Sequence, residues 1–218
     1  RAYADDIAVL ADALGVDRFG VIGLSGGGPY VLACAHELPD RVVGAVVLGG
    51  VAPTVGDEAM DGGIVDLTRR LRPLIELSRQ PLALTITLLA RLLRPAGPQA
   101  MALYSRISPP GDREAFASPF LGEMFLDDLN RAAARGGLGA ATADLALFGR
   151  HWGFSVADIE VPVRFWHGDA DHIVPLSHAE ALVDRMADAE LHVRPGESHL
   201  GTLVVGDEAV RTVVTLWR

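Results

Sequence analysis

Apolar residues fall at helical spacing from the start of the chain: Tyr3, Ile7, Leu10, Ala11 and Leu14 recur every three or four positions, and Gly15 supplies a stop. A short apolar run follows, with Phe19, Val21, Ile22 and Leu24, and reads as a buried strand. Residues 30–38 can again be helical, and Pro39, Asp40 and Arg41 make a turn. From Val42 to Leu48 the chain is apolar without alternation, the pattern of a strand covered on both faces, and it ends at Gly49 and Gly50. Strands that alternate with helices and are themselves continuously apolar predict an α/β fold, a mostly parallel sheet with flanking helices.

The pattern changes across 51–157, where no convincing strand occurs and helices are expected at about 58–78, 80–93, 97–107, 112–134 and 140–150. Breakers separate them at Pro95–Pro98, at Pro109, Pro110 and Gly111, and at Gly136 and Gly137. The stretch 82–93 is apolar almost all round, too short for a bilayer and interrupted by Arg91, so buried packing is expected of it. Strand and helix alternate again from 161–166, with Pro162 near the strand start, through a helix near 177–187 and a strand at 190–194. A helical run through Val210, Val213, Val214 and Trp217 closes the chain. The expected organisation is a core of 1–50 and 158–218 carrying an all-helical insertion at 51–157.

Half of the 218 residues are hydrophobic, enough for a substantial core. A net charge of −9 argues against nucleic acid or an anionic membrane surface as partner. All 19 basic residues are arginine, which with abundant Ala, Gly, Val and Leu fits a bacterial coding sequence of high GC content. The single cysteine, Cys34, cannot form an internal disulfide and is expected on the packing face of the helix after the first strand. No apolar run approaches the roughly 18 residues of a membrane span, and the expected location is cytoplasmic.

Candidate chemistry begins at Gly23, Ser25 and Gly27, a G-x-S-x-G turn between the first strand and its helix. A serine at the apex of so tight a turn needs neighbours without clashing side chains, and the glycines supply that. The N–H of Gly26 then lies at a helix N-terminus, where it can stabilise an oxyanion, and Leu24 can contribute to a pocket. A dinucleotide fingerprint would need glycine at position 25, and a phosphate-binding P-loop would need a lysine this chain lacks. A turn that merely connects strand to helix is the bland reading.

The segment resembles the nucleophile elbow of the α/β-hydrolase family. That resemblance implies an acid and then a histidine downstream. Asp171 follows the strand ending at Trp166, at the carboxyl end where acids of open α/β sheets belong. Gly168, Asp171, Ile173, Val174 and Pro175 also resemble the family's acid loop, with Asp169 as runner-up and expected turn former. His167, Asp169, Asp171 and His172 faintly resemble the H-x-H-x-D-H string of metallo-β-lactamase-like hydrolases. Position 169 is aspartate where that string needs histidine, so no metal is expected. Of seven histidines, His199 alone sits in a glycine-containing loop after a strand, downstream of both partners. His36 and His178 fall in expected helices, His192 in a strand, and His151 beside Trp152 on the return to the core.

The resemblance implies a serine hydrolase with nucleophile Ser25, base His199 and acid Asp171, working by acyl transfer without cofactor or metal. It also implies that 51–157 is a cap and that the partner is a small-molecule substrate with a lipophilic acyl or ring group. Serine as nucleophile disfavours the haloalkane dehalogenase and epoxide hydrolase branches. It leaves esterase or lipase, amidase, carbon–carbon hydrolase and cofactor-free haloperoxidase branches. Met60, Met101, Phe116, Phe120, Met124 and Phe125 are expected in the core rather than in a pocket. Family members carry several strands and a second oxyanion donor loop before the elbow, whereas one helix precedes Ser25 here. The expectation is therefore an N-terminally truncated hydrolase whose first strand has an unpaired edge. A non-catalytic binding protein of the same fold, or an inactive fragment, is the alternative.

Overall fold

Every residue of Val42–Leu48 is buried, as its uninterrupted apolar run requires, because this strand has a parallel neighbour on each side and helices over both faces. A computed structural model describes residues 2–135 and 139–217. Its sheet has four parallel strands in chain order, β1 (Phe19–Leu24), β2 (Val42–Leu48), β3 (Val163–Gly168) and β4 (Ala189–Arg194). Helix α1 (Ala2–Ala13) precedes β1, and α2 (Gly28–Glu37) joins β1 to β2. Between β2 and β3 run α3 (Gly63–Leu93), α4 (Gly97–Ile107), α5 (Pro110–Ala117), α6 (Pro119–Arg135) and α7 (Gly139–Phe148). Helix α8 (Ser177–Val183) joins β3 to β4, and α9 (Gly206–Leu216) closes the chain.

The two-residue alternation of the strands sorts their side chains onto two cores. Ala45 and Val47 of β2 with Val163 and Phe165 of β3 pack against Leu32 and Cys34 of α2 and Leu182 of α8. Val46, Leu48 and Trp166 point to the other face, onto Val205 and Ala209. Cys34 is 1% exposed, and burial pushes its thiol up to about 11, so it is a protonated packing group. Helix α9 approaches the sheet so closely that a Cβ on Gly44 would lie 2.7 Å from Leu216 Cδ1 and 2.9 Å from its Cβ. The second contact cannot be relieved by a rotamer. Gly44→Ala is therefore expected to push α9 outward and cost about 1–3 kcal/mol, read as a lowered Tm in thermal unfolding.

Among the described residues β1 pairs with β2 alone, and a groove beside its outer edge is lined by Tyr3 and Ile7 of α1. No described helix is long and apolar enough to cross a membrane.

The inserted helices depart from the sequence expectation in four places. The 112–134 helix is two, because Ser118 is extended (φ −73°, ψ 114°) before Pro119, as a pre-proline residue prefers. The 58–78 and 80–93 helices form one element starting at Gly63 and kinked at Ser78 (φ −108°, ψ 15°). The described leucines of the 82–93 stretch are not buried: Leu84, Leu88, Leu89, Leu92 and Leu93 are each more than half exposed, while Thr87 is buried. Helix α3 packs against α6 and α7, which cannot cover a stretch that is apolar almost all round. Phe120, 71% exposed, and Met124 likewise face outward rather than into the core. The break expected at Gly136 and Gly137 lies outside the described residues. Elsewhere β3 extends two residues further than expected, to Gly168, and α8 stops at Val183.

Candidate active site

Parallel strands put all their carboxyl ends on one edge of the sheet, and the three candidate residues follow three of those ends. Ser25 comes directly after β1, Asp171 follows β3 and His199 follows β4. Ser25 has φ 54° and is the only non-glycine among the described residues with positive φ. Such a conformation costs about 1–3 kcal/mol and persists only where the surroundings enforce it. The surroundings here are tight: a Cβ on Gly23 would lie 2.5 Å from Gly27 O, and one on Gly26 would lie 2.6 Å from Phe148 Cζ. Ser25–Gly27 form one 3-10 turn leading into α2, so the Gly26 N–H sits at the positive end of that helix. Leu24 packs toward Val46, Leu48 and Trp166.

The structure brings Ser25, His199 and Asp171 into one hydrogen-bonded line. His199 Nε2 lies 2.7 Å from Ser25 Oγ, and His199 Nδ1 lies 2.7 Å from Asp171 Oδ2. The other oxygen of Asp171 accepts from the N–H groups of Ile173 (2.8 Å) and Val174 (2.9 Å). Burial by itself would raise the Asp171 pKa, but hydrogen bonds from His167, His199 and the Val174 N–H outweigh it. They hold the carboxyl well below the usual carboxylate range. An ionised carboxylate only accepts, so His199 Nδ1 carries the proton and, in the neutral ring, Nε2 presents its lone pair to the Ser25 hydroxyl. Asp171 and His199 are 4% exposed, whereas Ser25 is partly open to solvent.

The remaining candidates of the acid loop are directed elsewhere. Asp169 Oδ1 accepts from the Gly196 N–H at 2.7 Å, tying the β3 and β4 loops together, and His172 is exposed. His167 is fully buried; its Nε2 donates to Val174 O at 2.7 Å and faces Asp171 Oδ2 at 3.5 Å. Among the described residues no three His, Cys, Asp or Glu side chains converge on a point that could hold a metal ion. His36 stacks on Phe154, His192 stacks on Trp166, and His178 accepts from the Ala52 N–H in a buried setting that lowers its pKa. His151 lines a cavity of about 250 Å³ with Pro29, Tyr30, Phe148, Trp152 and Phe154. This cavity adjoins the elbow through Phe148.

Two residues around the line were not singled out for these positions from sequence. His167 supports Asp171, and Asp112, far away in the inserted helices, reaches the loop of His199. Only the position of His167 at a strand end could have drawn attention to it. Asp112 gave no signal, since its contact spans 86 residues of chain.

A family model described as the alpha/beta hydrolase fold matches residues 1–204. The chain belongs to the α/β-hydrolase-fold family. Solved structures share the fold. A hydrolase from Pseudomonas aeruginosa is 22% identical with a TM-score of 0.62, the match covering 98% of this chain and 69% of that one. The enol-lactonase from Burkholderia xenovorans is 19% identical, TM-score 0.61, with coverage of 98% and 70%. An esterase from Exiguobacterium antarcticum is 19% identical, TM-score 0.59, with the same two coverages. At these identities the likeness is one of fold. No curated protein matches this α/β-hydrolase-fold chain in sequence.

Proposed function

We propose that this chain is a serine hydrolase that cleaves an ester-like bond of a small-molecule substrate through an acyl-enzyme. The observation that carries this reading is the Ser25–His199–Asp171 line, with two contacts of 2.7 Å and the serine at a strained turn. Ser25 Oγ attacks the carbonyl carbon while His199 Nε2 takes its proton. The carbonyl oxygen becomes an oxyanion and the Gly26 N–H donates to it. The tetrahedral intermediate collapses, the carbon–leaving-group bond breaks, and His199 returns its proton to the departing oxygen. Water then attacks the acyl-serine with the same base, releasing the acid and restoring Ser25. Asp171 stays ionised throughout and holds the imidazole in the tautomer that can accept. Every step moves only protons and an acyl group, so the cycle calls for no cofactor or metal.

The helical segment 51–157 serves as a cap over this edge of the sheet in our reading. The cavity lined by Phe148, Trp152 and Phe154 favours a lipophilic acyl or ring group there. The esterase and lactonase among the structures of like fold make an ester the first bond to test, ahead of amide or carbon–carbon bonds.

Treatment with a fluorophosphonate followed by intact-mass analysis tests the reading. One adduct is expected, absent in Ser25→Ala and much slower to form in His199→Ala. No adduct on the folded chain would point instead to a non-catalytic binding protein of the same fold.

A further inference from the structure

Asp112 is 0% exposed, and all three of its described hydrogen bonds serve one purpose. It stands in the first turn of α5, within the inserted helices, yet its Oδ1 accepts from the backbone N–H groups of Ser198 (2.9 Å) and Gly201 (2.8 Å). Those two amides flank His199 on either side. Its Oδ2 accepts from the Tyr104 hydroxyl at 2.9 Å, which fixes the carboxylate from behind. One residue earlier, the Gly111 N–H donates to Gly196 O at 3.0 Å. The approach is close: a Cβ on Gly111 would lie 2.8 Å from Glu197 Cα, and one on Gly201 would lie 2.9 Å from Asp112 Oδ1.

We propose that Asp112 is a positioning residue that clasps the His199 loop to the inserted helices, so that docking of α5 and placement of the histidine are a single event. This rests on the hydrolase reading above for its catalytic consequence. Residues 198 and 201 are buried, so two amides facing an absent acceptor would each pay the desolvation of an unpaired donor. The loop must move to repair that, and His199 moves with it. The 2.7 Å contacts on both its nitrogens leave no slack for such a shift. A displacement near 1 Å at a reacting group can cost about 10²-fold in rate.

The chemistry of the clasp makes the conservative variant informative. Asparagine keeps a carbonyl oxygen that can accept from Ser198 and Gly201, while its amide can donate to the Tyr104 oxygen. Alanine keeps neither. Turnover of a simple aryl ester and the rate of fluorophosphonate labelling are measured for wild type, Asp112→Asn and Asp112→Ala, each confirmed folded by circular dichroism. Asp112→Ala is expected to lose about 10²-fold in kcat and in labelling rate with KM within about threefold, and Asp112→Asn to recover most of the loss. Labelling by folded Asp112→Ala at the wild-type rate would overturn the proposal, as would an asparagine variant as slow as alanine.

Amide hydrogen exchange on the unmodified protein decides the clasp without any variant and without turnover. The Ser198 and Gly201 amides are expected to exchange in step with the α5 amides, as one opening unit. Loop amides that open well before α5 would sink the clasp. Wild type that takes no label yet shows the shared opening would overturn the hydrolase reading and leave the clasp standing.

Discussion

Replacing Ser25 with alanine is expected to lower kcat for ester hydrolysis by about 10⁶-fold, with the fold and KM little changed. The size of the effect follows from what is removed. In the proposed mechanism the nucleophile and the proton taken by His199 Nε2 vanish together, which leaves only the proposed oxyanion donor and cavity to act on attacking water. In the proposed mechanism Ser25 and His199, 2.7 Å apart, act as one unit, so adding His199→Ala to Ser25→Ala should cost almost nothing more. A steady-state assay of the four proteins checks this. Alanine at position 25 also relieves none of the backbone strain, since it has a Cβ in the same φ 54° conformation. Stability should therefore hold while rate collapses, and a serine variant that kept its activity would remove Ser25 from the chemistry altogether.

Asp171→Asn is expected to cut kcat by about 10⁴-fold while leaving the three side chains nearly in place. The asparagine amide can donate to His199 Nδ1, which would favour the tautomer carrying its proton on Nε2, the wrong one for accepting from Ser25. The pH dependence separates this from simple loss of charge. Asp171 is held below the ordinary carboxylate range, so in wild type it stays ionised across the working range. The sign for stability follows the same shift. A carboxyl whose folded pKa is depressed contributes stability that is full above the unfolded value of about 4 and is lost as pH falls toward the folded value. The gap in Tm between wild type and Asp171→Asn should thus be widest near neutrality and shrink below about pH 4. Thermal unfolding across that range reads it directly. A gap independent of pH would show that the carboxylate charge is not what the site stabilises.

The core of the fold was legible because its signals are local. The unbroken apolar run 42–48 demanded cover on both faces, and β2 has it; the glycine turn after 19–24 is where Ser25 takes its positive φ. The order of strand, elbow, acid loop and histidine loop was readable because each lies at a strand end, and parallel strands put those ends on one edge. The inserted helices were less legible. An apolar run such as 82–93 states that side chains favour burial but not whether neighbouring helices exist to provide it, and here α6 and α7 cover one side only. The division at Ser118 was written in Pro119, but the apolar spacing of 112–134 continues across it. Asp112 was illegible for a different reason. Its partners are backbone amides of a loop 86 and 89 positions later, and backbone groups leave no mark in a sequence pattern.

The chain's one thiol has a use that its burial creates. Cys34 sits on the sheet-facing side of α2 at 1% exposure, protonated by an environment that pushes it up to about 11, and nothing else in the sequence competes for a thiol-selective reagent. A maleimide or a disulfide dye can reach it only when the packing of α1 and α2 on the sheet around it opens, and the turn into α2 carries Gly26. The rate of modification under native conditions is thus a clock for that opening, with no engineered probe in the chain. Run with and without a fluorophosphonate bound, it would report whether occupying the serine tightens the helix behind it.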